Sequence, residues 1–283
     1  MGQTLQVSVD FRDEVDELHG FLQTLKPEEW NLETDFMHWT PWDVVAHLHF
    51  FDLVSMVASE GEEAFAAERQ SLFTAIGEGK TNKNLARERF ADLDAEGLLA
   101  QWRSTAHALA ETLGTSDPKR RLPWFGPDMS VKMFLTARYM ETWAHGQEIY
   151  DLVGATRTHT DRIKNIATIG MKTFGWTFVN RKMEIPGPPP HVRLVAPSSE
   201  IWEWNEPNET ECIRGEAVDF CHVVTQGRNI AEVSLEVRGP IATQWMSIAQ
   251  CFAGGAVDPP KPGTRGIQPR AGIRVVVRGG DNP

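Results

Sequence analysis

The chain has 283 residues, 41% hydrophobic and 24% charged, which is the composition of an ordinary soluble globular protein with room for two domains. Its net charge of −11, with no basic block, argues against general binding to nucleic acids or to anionic membranes. Charges interrupt every apolar run, which leaves no span of about 20 apolar residues for a membrane helix, and the first residues lack the basic and apolar regions of a signal peptide.

From Val9 to Leu25, the residues Phe11, Val15, Leu18, Phe21, Leu22 and Leu25 recur with a helical period, predicting an amphipathic helix that Pro27 ends. After a loop, Thr40 reads as an N-cap. Pro41 suits the first helical position and Asp43 completes a capping box, so a second helix runs to Ala58 and Asp43 is a cap rather than a catalytic acid. A polar, alanine-rich stretch follows. The segment Gly77-Glu-Gly-Lys-Thr81 superficially resembles a phosphate-binding loop, but Thr74 stands where that motif needs its first glycine. Residues 82–113 carry Leu85, Phe90, Leu98, Trp102, Leu109 and Leu113, with an interruption at residues 94–97 and Gly114 as a stop. A last helix spans Ser130 to Val153 and stops at Gly154. Four helices joined by moderately long loops make a bundle.

On that last helix Glu141 and His145 lie one turn apart and share a face. The helix is apolar on most sides and is therefore expected to be buried. A buried, unpaired carboxylate costs several kcal/mol or shifts its pKa until it is neutral, so something must compensate Glu141. A divalent cation would do so, gripped by Glu141, His145 and a third ligand, for which His47 on the second helix is the candidate. A metal-free network of Arg138, Glu141 and His145 is the alternative. His49 is about 200° round the helix from His47 and cannot share its face. His38, His107, His159, His191 and His222 have no partner at ligand spacing.

After Thr158 the pattern changes, and a boundary is expected between residues 157 and 158. Residues 162–173 look helical, and 174–180, 191–196 and 201–205 look like strands separated by proline-rich turns. A helix over 215–226, a strand over 231–237 and a helix over 241–252 complete a smaller α+β domain, residues 158–283. From Gly254 the Pro/Gly-rich tail is expected to be irregular, with an optional edge strand at Ile273–Val277. Cys212, Cys221 and Cys251 lack a CxxC spacing and read as reduced, buried thiols of a cytoplasmic protein.

The segments Trp39-Thr-Pro-Trp-Asp-Val-Val-Ala-His47 and Ala137-Arg-Tyr-Met-Glu141-Thr-Trp-Ala-His145-Gly, in this order, carry a family resemblance. With Trp124-Phe-Gly-Pro-Asp-Met-Ser130, Gly215 to Gln226 and Trp245 to Gly254, they resemble the DinB-like superfamily. Within it they are similar to metal-binding proteins of the mycothiol-dependent maleylpyruvate isomerase type, in particular a two-domain subgroup sometimes labelled with wyosine base formation. The resemblance implies a DinB-like four-helix bundle, residues 1–157, followed by the α+β domain. It implies a divalent ion, zinc first, held by His47, Glu141 and His145 with coordination positions left open. It also implies a low-molecular-weight thiol, mycothiol or glutathione, and a small-molecule substrate held by an arginine of the C-terminal domain, matched here to Arg228 with Arg214 as the fallback.

The activity expected is that of a metal-dependent, thiol-using transferase or isomerase acting on an electrophile. Two alternatives are a metal-water hydrolase with Glu148 or Asp52 as base, and a non-catalytic binding protein whose metal braces the bundle. Arg138 and Glu148 are expected beside the ligands, with Trp39, Trp42, Trp124 and Trp143 walling a water-poor pocket. A homodimer is compatible with this composition.

Overall fold

A computed structural model describes residues 4–267; the edge strand expected at Ile273–Val277 lies outside them. Helix α1 (Gln6–Leu22) buries Phe11, Val15, Leu18 and Leu22, the stripe its sequence predicts. Helix α2 (Pro41–Glu60) starts at Thr40, whose side chain accepts from the Asp43 backbone N–H, while the Asp43 carboxylate accepts from the Thr40 N–H at 2.9 Å. The same carboxylate accepts from Arg87 at 2.9 Å, so Asp43 is fully occupied as a cap. Helix α3 (Glu62–Gly77) forms in the alanine-rich stretch, and α4 (Asn82–Arg89) and α5 (Ala95–Gly114) divide where the interruption was expected, at the Asp94 N-cap. A short hairpin, β1 (Arg121–Leu122) and β2 (Met129–Ser130), then leads into α6 (Val131–Leu152), capped by Ser130. The long helices pack in a ring: α1 on α5, α5 on α2, α2 on α6 and α6 on α1.

The second part begins with α7 (Lys164–Lys172), which packs on α6. Residues 174–180, expected as a strand, are helix α8 (Phe174–Asn180). Phe174, Thr177 and Phe178 are its buried residues, and their i, i+3, i+4 spacing is helical; the aromatic and β-branched content imitated a strand. Strands β3 (His191–Val195) and β4 (Ile201–Trp204) fall where expected, but β5 (Cys212–Glu216) takes the start of the expected helix, which begins later as α9 (Ala217–Val224). The strand expected at 231–237 is a 3-10 turn, Ile230–Glu232, followed by β6 (Glu236–Arg238), and α10 (Pro240–Ile248) is the last regular element among the described residues. The sheet order is β4-β3-β5-β6, with β3 and β5 parallel and the outer pairs antiparallel.

One apolar core runs through both parts: Tyr139, Met140 and Trp143 of α6 belong to the same buried cluster as Ile166, Val192 and Phe220. The segment between the parts is pinned rather than loose. Buried Arg157 donates to the Trp143 carbonyl at 2.8 Å, pairs with Glu14 of α1 and lies over the Trp143 and Tyr150 rings.

Candidate metal centre

Helices α2 and α6 touch, and this contact brings His47 to Glu141 and His145. One ligand atom from each of the three residues lies within 4.8 Å of the others. Glu141 Oε2 stands 3.5 Å from His47 Nε2 and 3.3 Å from His145 Nε2. Ligands about 2.1 Å from a tetrahedral ion are about 3.4 Å from one another, so these separations suit a shared cation. Both ring nitrogens of His47 are buried and without a hydrogen-bond partner among the described residues. Unpartnered buried nitrogens are costly, and a cation would engage one of them. Burial brings the His47 pKa down to about 4 against the opposite pull of Glu141, which keeps the imidazole neutral and its lone pair available. Burial acts to raise the Glu141 pKa, but His145 and His47 outweigh it and hold the carboxyl below its ordinary range. Aromatic rings fix both imidazoles: Trp39 stacks on His145 at 5.5 Å and leans on His47 at 5.0 Å, and Phe36 meets His145 edge-on at 5.1 Å.

Two cavities reach Glu141. The larger, about 280 Å³, is lined by Trp124, Arg138 and Glu141, and by Ile169, Cys251 and Phe252 of the second part. The smaller, about 130 Å³, is lined by Phe36, Glu141, His145, Glu148, Gln226 and Arg265. Trp124 lines the larger cavity and Trp39 packs on both imidazoles without lining either cavity, whereas Trp42 and Trp143 do neither. Trp42 donates to the Leu93 carbonyl at 3.3 Å, and Trp143, two residues beyond Glu141, points to the other side of α6 against His159 and His222. Nor does Arg138 pair with Glu141, as the metal-free network required. Its Nε donates to Asp52 at 2.9 Å, and Asp52 also accepts from Trp102 Nε1 at 3.1 Å. That wholly buried pair removes Asp52 as a catalytic base. His49, as expected, faces away, stacked on Phe90 at 4.6 Å.

A family model described as the mycothiol maleylpyruvate isomerase N-terminal domain matches residues 11–150, which include all three candidate ligands. Two uncharacterized proteins of Mycobacterium tuberculosis, from strains CDC 1551 and H37Rv, are each 36% identical over 247 residues, 87% of this chain and 94% of their own. The chain belongs to the DinB-like, mycothiol maleylpyruvate isomerase-type family. Among solved structures, the mycothiol-dependent maleylpyruvate isomerase and a histidine-to-alanine mutant of it each match with a TM-score of 0.53 and 15% identity, over 83% of this chain and 95% of theirs. At that identity the likeness is one of fold, a mostly helical chain with a small sheet region.

In this member of the family the cation facing the site from the second part is not the expected one. Arg228 pairs with Asp151 at 2.7 Å, donates to the Gly227 carbonyl, and lines neither cavity. Arg214 pairs with Glu209. Arg265 takes the position: it donates to the Gln226 carbonyl at 2.7 Å, lies 4.7 Å over the Phe36 ring and stands 3.5 Å from Glu148. It sits in the irregular tail, which is fixed there because Gln226 Nε2 donates to the Val257 carbonyl at 2.9 Å and Asn229 Nδ2 to that of Pro260 at 2.8 Å.

Glu148 offers a test of this corner. Burial raises its pKa to about 7, with Arg265 acting in the opposite direction. A carboxyl whose folded pKa lies above its unfolded value contributes stability that is complete below the unfolded pKa and is lost as pH rises through the folded one. Between pH 5 and pH 8, wild type is therefore expected to lose on the order of 3 kcal/mol relative to Glu148→Gln. Urea unfolding of both metal-free proteins at the two pH values measures this; equal pH slopes would place Glu148 in an ordinary carboxylate environment.

Proposed function

We propose that the protein is a divalent-metal-dependent, thiol-using transferase or isomerase acting on an electrophilic small molecule. The observation that carries this reading is the convergence of His47, Glu141 and His145 within 4.8 Å, beside cavities. Two imidazoles and one carboxylate suit zinc and leave positions open for an incoming ligand. When bound, the ion would supply the positive charge that stabilises a thiolate near neutral pH. All three of the chain's own cysteines are buried, and burial pushes the Cys221 and Cys251 thiols up, while Cys251 lines the larger cavity. On this reading the thiol enters as a small molecule, mycothiol or glutathione, and the name of the similarly folded isomerase supports the first. Trp39 and Phe36 hold the imidazoles in place, and the cavity walls exclude water.

We place the domain division at residues 157 and 158, so that the ligands belong to a four-helix bundle and Gln226, Cys251, Phe252 and Arg265 line the same cavities from the α+β domain. We place the protein in the cytoplasm, where its free thiols stay reduced; among the described residues no helix is long and apolar enough to cross a membrane. A second reading, a metal-water hydrolase, has one specific support, the near-neutral pKa of Glu148 on the wall shared with His145, which suits a general base.

Turnover of electrophilic test compounds by the metal-loaded protein, with mycothiol, with glutathione and without thiol, decides between these readings. A thiol-dependent rate that falls at least about 100-fold in Glu141→Gln is expected. A rate independent of thiol would favour the hydrolase, and no rate with any compound would leave a metal that only braces the bundle.

A further inference from the structure

The walls of the larger cavity are poorly matched to a small, highly charged substrate. Its volume of about 280 Å³ is roughly twice the 150 Å³ of an apolar cavity that holds one benzene ring. Along its length the lining is apolar, with Trp124, Met133, Phe134, Ile169, Trp176 and Phe252. Its polar lining groups differ in exposure. Arg138 is buried, with its charge balanced by Asp52, and Glu141 is partly covered. At the exposed rim are Arg121, Asp128, Ser130, Lys172 and Thr173, an excess of one positive charge. Arg121 donates to the Asp128 carbonyl, and neither it nor Lys172 has an ion pair among the described residues. Lys172 also borders an adjoining open groove lined by Lys132, Lys164, Arg162, Asp10, Asp13 and Asp161, so a polar group at the rim stays in water.

We propose that this cavity takes an amphiphilic monoanion, with an aromatic or alicyclic body of two-ring size between Trp124 and Trp176 and its acid group at Lys172. The inner end of the body then lies towards Glu141. Under the proposed function, on which the chemistry of this proposal rests, that end carries the electrophilic carbon. The open metal position belongs to the thiol, which leaves the rim for the acid. The apolar walls and the rim's single excess positive charge discriminate against a small diacid, whose second charge that excess does not balance.

Binding separates this proposal from the metal reading. The metal-loaded full chain is titrated with 2-naphthoate, 2-naphthamide and maleate, following tryptophan fluorescence. The naphthoate is expected to bind at least about tenfold more tightly than maleate, which has no ring to bury. Ala137→Phe, which fills the cavity from α6, should weaken it by about tenfold or more, and Ala253→Trp at the rim serves if that variant does not fold. Lys172→Ala should cost the acid about threefold and leave the amide unchanged, the size of an exposed ion pair. His145→Ala should leave naphthoate binding within about threefold, since the walls and not the ion hold it. Maleate binding as tight as naphthoate would overturn the proposal. So would naphthoate binding unaffected by either filling variant, or lost in His145→Ala and unchanged in Lys172→Ala. Absence of metal in wild type would sink the metal reading while leaving naphthoate binding intact.

Discussion

Purified wild-type protein is expected to carry about one divalent ion per chain, and His145→Ala to carry less than about a tenth of that. The reason lies in the donor set. Removing one of three ligands leaves a pair, and His47 and Glu141 sit on different helices, so the pair no longer includes the i, i+4 grip that α6 provides. Loss of a group that only orients a ligand typically costs 10- to 100-fold in metal affinity, and loss of the ligand itself must cost more. Stability follows by linkage. An ion present at about 1,000 times its Kd adds about 4 kcal/mol to the folded state, so a chelator should destabilise wild type by about that amount and His145→Ala hardly at all. Elemental analysis and urea unfolding with and without chelator measure the two effects. Stoichiometric metal retained when His47, Glu141 and His145 are all replaced would end this assignment.

How much of the centre could be read from the chain depends on the range of the interactions that build it. The helix starts at Thr40, Asp94 and Ser130 are local chemistry, each a short polar side chain accepting from an N–H three residues on, and they were legible. The Glu141 and His145 pairing is local too, and its partner His47, a candidate from its place on the second helix, gained support from the family resemblance. Trp143 was misplaced although helical geometry excluded it, because a residue two beyond Glu141 projects about 200° away. Trp42 failed for a different reason: its indole N–H is claimed by the Leu93 carbonyl, 51 residues distant, which no local pattern signals. Arg265 was invisible in the same way. Its segment has no periodicity, and its place is set by side-chain hydrogen bonds from Gln226 and Asn229 to tail carbonyls. Phe174–Asn180 shows that a short aromatic run is ambiguous until its neighbours decide which face is covered.

Asp52→Ala is expected to cost about 3–5 kcal/mol of folding stability, the penalty for leaving the other half of a buried ion pair without its partner. Asp52 is wholly inaccessible between α2, α5 and α6. It accepts from Arg138 Nε and from Trp102 Nε1, so its loss strands a guanidinium and an indole N–H together. Burial acts to raise the Asp52 pKa, and Arg138 is the chief opposing influence, so charge and partner stand or fall as one. Asp52→Asn should cost less than the alanine, since the amide can keep one acceptor for Trp102. Asp52→Leu combined with Arg138→Met should recover most of the loss, because an apolar pair of similar volume needs no compensation. The pair also reaches the candidate metal centre, as Arg138 is three residues before Glu141 on α6 and ties that turn to α2 through Asp52 and the Leu48 carbonyl. Zinc affinity of Asp52→Ala, measured by competition with a chromophoric chelator, is therefore expected to fall about tenfold although no ligand has changed. Urea unfolding of the metal-free proteins separates the stability effect from the metal. A cost below about 1 kcal/mol for Asp52→Ala, with zinc affinity unchanged, would mean that the pair neither stabilises the packing of α2 on α6 nor positions Glu141.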